Sequence, residues 1–562
     1  MSDRSLPLPS AMRALDPYTQ AFPTLTAEQI DRVRSYGKIR AVAAGETVFQ
    51  AGDSHISMFI VLSGKLDILQ PTKDGERLIT THFPSAFTGE INMISGRRAL
   101  VHGRVAEAGE FLEIGLDNLR TLIAKDAELS EVFMRAFILR RLALVKQGFG
   151  DAVVMGSMHC AATLRIREFL GRNGHPYEFV DLDKDRQSQE LLDQFQVSIA
   201  DVPVLICRGT KVLRHPTLQE VAECLGFNSP IDEAQVRDLI VVGAGPSGLG
   251  AAVYAASEGL DVLVIESNAP GGQAGSSSKI ENYLGFPVGI SGSELATRAI
   301  NQAQKFGAEM MVAHDVVRLH CNQRPYQIEL DNGTRLTTRS IVIATGAQYN
   351  KPAIPGLSRF ESVGVYYGAT NMEAQLCEHE EVIVVGGGNS AGQAAVYLSG
   401  YASRVHILVR SGQLSDTMSR YLVQRIETHP KISLHLHTEI VGLEGQGHLE
   451  SVQWKDKHDG RVETMPIRHI FMMTGAVPNT AWLKGSLAMD NKGFIVTGHD
   501  LQENGADKPQ WSYPRSRYLL ETSLPGVFAV GDARAGNVKR VASAVGEGSI
   551  SVHLVHRVLS EM

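Results

Sequence analysis

The sequence predicts a multidomain α/β protein whose C-terminal three-fifths form two doubly wound domains. Three observations carry that expectation. Two apolar strands, DLIVV and EVIVV, each run straight into a glycine-rich turn followed by a helix-like stretch. Residues 151–227 alternate strand-like and helix-like segments: AVVM, ATLRIREFL, YEFVDL, QELLDQF, PVLIC and LQEVAECL. Ahead of both, short β-like runs punctuated by glycine are closed by an amphipathic helix spanning about Ala127 to Gln147. A change from strand periodicity to strand–helix alternation marks a change of layer architecture, and therefore of domain.

At 562 residues the chain exceeds what one core supports. A formal net charge of −7 argues against a nucleic-acid partner, which needs clustered Lys and Arg. The segment MSDRSLPLPS lacks the apolar stretch of a signal sequence, and runs such as Asp238–Val242 are too short to span a bilayer. A cytoplasmic protein without a membrane partner is the expectation. Five cysteines, at 160, 207, 224, 321 and 377, are scattered without any C-x-x-C. Neither a disulfide framework nor a metal site is expected. Cys207, on a strand, and Cys224, on a helix, read as buried free thiols.

The first turn reads Gly243-x-Gly245-x-x-Gly248. Gly243 permits the tight turn, Gly245 lets backbone approach a pyrophosphate, and Gly248 lets helix and strand pack closely. The free N–H groups at the helix start face the phosphates. The next strand ends at Glu266, a carboxylate that can accept hydrogen bonds from both ribose hydroxyls. The second turn is Gly386-x-Gly388-x-x-Ala391, and its following strand ends in Arg410 instead of an acid. A guanidinium there binds a 2′-phosphate that a carboxylate would repel, which favours NADPH over NADH. Arg420 is a candidate to assist there, a solvated helix residue being the other reading. Two dinucleotide sites in one chain imply that one cofactor passes hydride to the other.

Residues 236–562 resemble the low-molecular-weight thioredoxin reductases in PGGQAGSSSKIENYLGFP, IVIATGA, MTGAVPNT, GVFAVGD and KRVASAVGEGS. The resemblance implies FAD at the first turn and NADPH at the second. It sets Gln273 and Asn282 near the flavin, Asp532 on the ribityl–phosphate arm, and Arg540 at the pyrimidine end of the ring. Val541 stands where the family has Gln, which alters hydrogen bonding to the ring. It also implies a FAD domain over 236–350 and 476–562, an NADPH domain over 351–475, and a homodimer. One departure bears on chemistry. The family's redox-active C-x-x-C falls on YYGATNMEAQLC, where Gly368 and Asn371 occupy the two thiol positions and Cys377 comes six residues late. Slow reduction of ordinary thioredoxin is expected.

Residues 151–227 resemble the glutaredoxin/thioredoxin fold. Asp201-Val202-Pro203 matches its cis-proline loop, and His159-Cys160-Ala161-Ala162-Thr163 its active position. At a helix N-terminus Cys160 would be a reactive thiolate that another thiol must resolve. An adapter that retains one cysteine is the other reading. Residues 20–148 resemble the cyclic-nucleotide-binding domain, a β-roll, through AAGETVFQAGD, IVLSGKLDIL and FTGEINMISGRRALVHGRV. The resemblance sets Gly89 and Glu90 in a phosphate cassette, with Glu90 towards the ribose 2′-OH and Arg97 towards the cyclic phosphate. Arg98 is an alternative for the phosphate, and the short intervening segment leaves a docking module without ligand as a second reading. No helix-turn-helix follows.

The leading expectation is an NADPH-dependent FAD oxidoreductase, gated by an N-terminal sensor, that passes electrons to a disulfide or thiol substrate through Cys160. Two alternatives remain open: a ferredoxin- or flavodoxin-type NADPH reductase or NADPH oxidase that needs no cysteine, and a non-catalytic nucleotide and redox sensor.

Overall fold

A computed structural model describes residues 17–72, 75–95, 97–146, 152–158, 160–183, 201–207, 211–361, 363–414, 418–503, 511 and 514–561. His159, the helix expected at QELLDQF, and much of the polar 499–518 segment lie outside the described residues.

The N-terminal block folds as two facing antiparallel sheets. One orders Lys38–Val42, Gly109–Ile114 and Met58–Val61; the other orders Thr47–Phe49, His102–Glu107, Lys65–Thr72 and Gly75–His82. Phe49, Phe59, Val61, Leu66 and Phe111 fill the space between them. The Ala127–Lys146 helix closes this block by burying Phe133 and Phe137 against Phe87, with ring centroids 4.8 and 6.2 Å away.

In the middle module a four-stranded sheet runs Lys211–Arg214, Val204–Cys207, Ala152–Gly156, Glu178–Asp181. The last pair is parallel and the others antiparallel. The Ala161–Arg172 and Leu218–Leu225 helices accompany it, the second started by a capping box between Thr217 and Glu220. Cys207 and Cys224 are joined in a disulfide, which corrects the expectation of two free thiols. The reason is tertiary: the strand and the helix pack face to face with the two Cα atoms 6.5 Å apart, within disulfide reach.

This module is continuous with the next domain. Phe169, Leu205 and Phe227 share one core with Ala269, Val312 and Ala313. Asn228 pairs its side-chain amide with the backbone of Val312, at 2.9 Å to the carbonyl and 2.8 Å from the N–H.

The first doubly wound domain orders Glu309–Val312, Val262–Glu266, Val236–Val242, Arg335–Ile343, Tyr326–Leu330 and Val316–His320. Val527–Ala529 returns from far along the chain to pair with Arg335–Ile343. Val262–Glu266 is buried throughout, as expected of a parallel strand covered on both faces. The second domain has a five-stranded parallel sheet: Val365–Tyr366, His469–Met472, Glu381–Val385, Arg404–Leu408, Ile432–His435. The chain crosses between the two domains twice, and the crossing segments Ala347–Tyr349 and Ala476–Pro478 pair as an antiparallel ribbon. Among the described residues no helix is long and apolar enough to cross a membrane.

Candidate functional site

The three glycines of the first turn are needed for different reasons. Gly243 has φ +102°, and a Cβ there would stand 2.4 Å from the Ala344 carbonyl. At Gly248 a Cβ would fall 1.9 Å from the Gly243 carbonyl, so the helix could not lie this close to the strand. Gly245 differs: a Cβ would meet only the Gly272 Cα, at 3.8 Å. Protein packing does not demand glycine at 245, and the space beside it opens on a cavity at the start of the Pro246–Ser257 helix. That is the fit required by a pyrophosphate resting on backbone N–H groups.

Glu266 is buried at the end of its strand, where Oε2 accepts from the Ala244 N–H at 2.8 Å and Oε1 from the Asn268 N–H at 3.0 Å. Burial pushes this carboxyl above its usual range, while the two backbone donors and the Arg172 guanidinium act in the opposite direction. Each oxygen retains acceptor capacity for a ribose hydroxyl. Gln273 donates through Nε2 to the Ala347 carbonyl. Asp532 accepts from Asn537 Nδ2 at 2.8 Å, and Arg540 caps the Val541–Ser560 helix. Asn282, Asp532, Arg540 and Val541 all line the same cavity.

The second turn repeats the geometry. Gly386 has φ +145°, with a Cβ excluded by the Met473 carbonyl at 2.5 Å. Gly388 caps the Asn389–Leu398 helix, and Ala391 is fully buried beneath the turn. Arg410, exposed, stands at the cavity wall with Ser411. Both glycine turns open on one cavity of about 1300 Å³. Arg425 pairs with Glu281 at 2.9 Å across the two domains, and Tyr349 and Ser390 line the cavity together.

No cysteine is among the described residues that line this cavity. Cys377 is fully buried; burial pushes its thiol up to about 12, and its Sγ donates to the Ala374 carbonyl at 3.4 Å. Gly368 stands beside Ser276, and Asn371 begins the Asn371–Leu376 helix. Cys160 caps the Ala161–Arg172 helix, half-buried. It is not at the cavity, whereas Arg172 is. Helical rise separates these two ends by roughly 18 Å.

In the N-terminal block the cassette is flanked on both sides. The Gly89 carbonyl accepts from Arg140 Nη1 at 2.8 Å, and a Cβ on Gly89 would strike the Phe137 ring at 2.6 Å. Glu90 lies 3.9 Å from Arg141 Nη1. Arg97 lies over the Phe227 ring of the middle module, 5.1 Å from its centroid; burial and nearby Arg141 push its guanidinium down to about 10. Arg98 packs against Gly226. Sequence reasoning did not find Arg172, Tyr349 or Lys539 at the cavity. Tyr349 follows IVIATGA closely and was within reach of the motif, whereas Arg172 carries no local signal.

Residues 237–548 match the family model for pyridine nucleotide-disulphide oxidoreductase. The chain belongs to that family. Among curated relatives of this pyridine nucleotide-disulphide oxidoreductase is a thioredoxin reductase from Treponema pallidum, 33% identical over 317 residues, which are 56% of this chain and 95% of that protein. The Listeria innocua thioredoxin reductase is 30% identical over 59% of this chain and 96% of its own. A solved Lactococcus lactis thioredoxin reductase aligns with a TM-score of 0.52 at 28% identity, covering 58% of this chain and 100% of that one. Residues 39–126 match the cyclic nucleotide-binding domain. The protein is an FAD- and NADPH-dependent oxidoreductase of the thioredoxin reductase type with an N-terminal cyclic nucleotide-binding domain.

Proposed function

We propose that NADPH bound at the Gly386–Ala391 turn reduces FAD bound at the Gly243–Gly248 turn within one cavity, and that electrons leave for an acceptor outside the NADPH-binding domain. The supporting observation is a single cavity lined by both turns and by none of the described cysteines. FAD, when bound, takes up hydride and delivers its electrons singly or in pairs. The chain's own residues bind and orient. Gly245 admits the pyrophosphate, Glu266 accepts from the ribose hydroxyls, and Asp532 anchors the ribityl–phosphate arm. Gln273, Asn282 and Arg540 surround the ring, and Arg410 meets the 2′-phosphate. The Arg425–Glu281 contact keeps the two sites facing.

The domains in this reading are 20–148 for the cyclic nucleotide, with Gly89, Glu90 and Arg97 as its contacts, and 151–227 for the thioredoxin-like module. The FAD domain covers 236–350 and 476–562, and the NADPH domain 351–475. We place the protein in the cytoplasm as a homodimer, by analogy with the reductases it resembles.

The acceptor is a disulfide or a redox protein. If it is a disulfide handled by the middle module, the Cys160 sulfur attacks one sulfur, the other leaves as thiolate, and an external thiol resolves the mixed disulfide; the disulfide which that thiol then carries is reduced by two electrons from the NADPH-reduced flavin, which closes the cycle. The half-buried position of Cys160 at a helix start favours the route through this thiol. An anaerobic NADPH titration, followed by a panel of disulfide, ferredoxin, flavodoxin and oxygen acceptors on wild type and Cys160→Ser, tests both. Loss of disulfide turnover with intact flavin bleaching supports the Cys160 route; unchanged turnover assigns the acceptor to the flavin cavity. Absence of flavin bleaching by NADPH overturns the proposal.

A further inference from the structure

The FAD cavity has a wall that does not come from the FAD-binding domain. Arg172, the last residue of the Ala161–Arg172 helix, reaches out of the middle module to the loop that follows Glu266. Its Nη2 donates to the Ala269 carbonyl at 2.9 Å and to the Gly272 carbonyl at 3.0 Å, with the Pro270 carbonyl at 3.4 Å. The same side chain lines the cavity, in company with Gly245, Glu266 and Gly272. Its Nε is buried and has no hydrogen-bond partner among the described residues.

The loop it grips is part of the dinucleotide cradle. Gly271 donates to the Ala244 carbonyl at 2.8 Å, and Ala244 donates to Glu266 at 2.8 Å. Gly272 is the one neighbour that a Cβ at Gly245 would meet. The distance from loop to phosphate turn therefore depends on where the carbonyls of Ala269, Pro270 and Gly272 are held, and Arg172 holds all three. A guanidinium also suits this location electrostatically. It stands beside the buried Glu266 carboxylate and favours its charged form, the form that accepts from ribose hydroxyls. It also places positive charge beside a site for a pyrophosphate, offset in part by its pair with Glu168 at 3.4 Å.

We propose that Arg172 is a positioning residue for the adenosine–pyrophosphate half of FAD, so that the middle module is a structural part of the FAD site. The inference rests on the assignment of the Gly243–Gly248 turn to FAD. It gives the thioredoxin-like module a role that does not depend on Cys160, which lies at the opposite end of the same helix. It also explains why this module shares a core with the FAD-binding sheet instead of hanging on a linker.

The test measures FAD rebinding to apoprotein by flavin fluorescence for wild type, Arg172→Ala and Arg172→Lys, with ADP and FMN as half-cofactor competitors. Loss of a charge-assisted contact set predicts that Arg172→Ala weakens FAD and ADP binding together, roughly ten- to a hundredfold, with FMN binding unchanged. Arg172→Lys, which keeps the charge but not the fork, should recover part of the ADP affinity. A general packing defect would weaken FMN as well and would not be rescued by Lys. Unchanged FAD and ADP affinity in both variants overturns the proposal. If Arg172→Ala does not fold, the Lys variant decides alone: reduced ADP affinity supports the role, and wild-type affinity overturns it. Gly245→Ala serves as the control. FAD loss there with none in the Arg172 variants overturns the positioning role only, whereas full FAD retention in Gly245→Ala removes the cofactor assignment beneath it.

Discussion

Arg141, on the helix that closes the nucleotide-binding block, donates from Nε and Nη2 to the carbonyl of Gly174, at 3.0 and 2.7 Å. Gly174 lies two residues beyond Arg172, which holds the loop over the cavity of the first glycine turn. Arg141 also faces Glu90 of the cassette, and Arg97 of the cassette lies over Phe227. A ligand that drew Arg97 or Glu90 towards itself would have to disturb contacts made to the middle module. The cassette and the FAD loop are thus joined through one short stretch of backbone.

The first prediction follows from that path. A cyclic purine nucleotide should bind the N-terminal domain and change FAD affinity, with a coupling of about fivefold or more. By reciprocity, FAD should change nucleotide affinity by the same factor. Arg141→Lys keeps a positive charge near Glu90 but loses the two-pronged donation to Gly174, so it should reduce the coupling while both ligands still bind. Calorimetry of nucleotide binding to holo- and apoprotein measures this directly. Equal nucleotide affinities in the two forms would rule the path out, and absence of heat, also with Arg97→Ala, would leave a docking module without ligand.

Gly245→Ala should fold with little change, because its Cβ meets only Gly272 at 3.8 Å. The same methyl occupies the space assigned to pyrophosphate. Overpacking of that kind should lower FAD affinity by roughly ten- to a hundredfold. Flavin content after gel filtration, set against the melting temperature of the apoprotein, separates the two effects.

Arg410 stands exposed at the cavity wall beside the second turn. Replacing it with Ala should narrow the preference for NADPH over NADH by about tenfold or more, mostly through the KM for NADPH. High salt should mimic part of the change in wild type by screening an exposed charge. A wild-type enzyme that prefers NADH would contradict the 2′-phosphate role.

Glu266 gives a pH prediction. Its folded-state pKa is raised, chiefly by burial, and Asp315 adds to the rise while Arg172 opposes it. A raised carboxyl binds its proton more tightly folded than unfolded, so its contribution to apoprotein stability is present at acid pH and is lost as pH rises through the folded value. Cofactor binding runs the other way, because the carboxylate is the form proposed to accept from the ribose. FAD affinity should therefore begin to fall, on acidification, at a higher pH than an ordinary glutamate would give. Glu266→Gln should flatten that part of the profile, as read by flavin fluorescence across the acid range.

How much of this was legible in the sequence depended on how local each constraint is. The glycine turns were legible because a positive φ and a close approach must be met by glycine at fixed spacing, as at Gly243 and Gly386. Glu266 followed, since it ends the strand after the first turn; Arg410 lies two residues beyond its strand, which stops at Leu408 and not at Arg410 as expected. The Cys207–Cys224 disulfide was not legible: the two lie seventeen positions apart in sequence, and only the packing of strand against helix brings them together. Arg172 and Arg141 carry no motif at all, because the contacts that join the modules run from them to backbone carbonyls elsewhere in the chain. Arg97 was assigned to the cassette from its motif, yet its place over Phe227 depends on a docking that no periodicity encodes.

The last prediction concerns the missing dithiol. A Cβ at Gly368 would meet nothing nearer than Ser276, at 3.9 Å, and the backbone there is not left-handed. The glycine is therefore not required by packing, and a side chain can be restored. Asn371 lies three residues on, at the first position of the Asn371–Leu376 helix, which is the spacing of a C-x-x-C. Gly368→Cys/Asn371→Cys should fold and bind FAD as wild type does. Because Gly368 sits beside Ser276 at the cavity wall, the new pair lies next to the flavin side of the site. After anaerobic reduction by NADPH the double variant should show two additional thiols by thiol titration, and none before reduction. Wild type treated in the same way should show no NADPH-dependent gain from this segment, since Cys377 is buried and its thiol is pushed up to about 12. Single Gly368→Cys should give one titratable thiol whether or not NADPH is present. If the double variant forms a disulfide that NADPH cannot reduce, the segment at 368–371 does not approach the flavin. In that case the outward path of electrons in this enzyme never ran through it, whatever residues it carried.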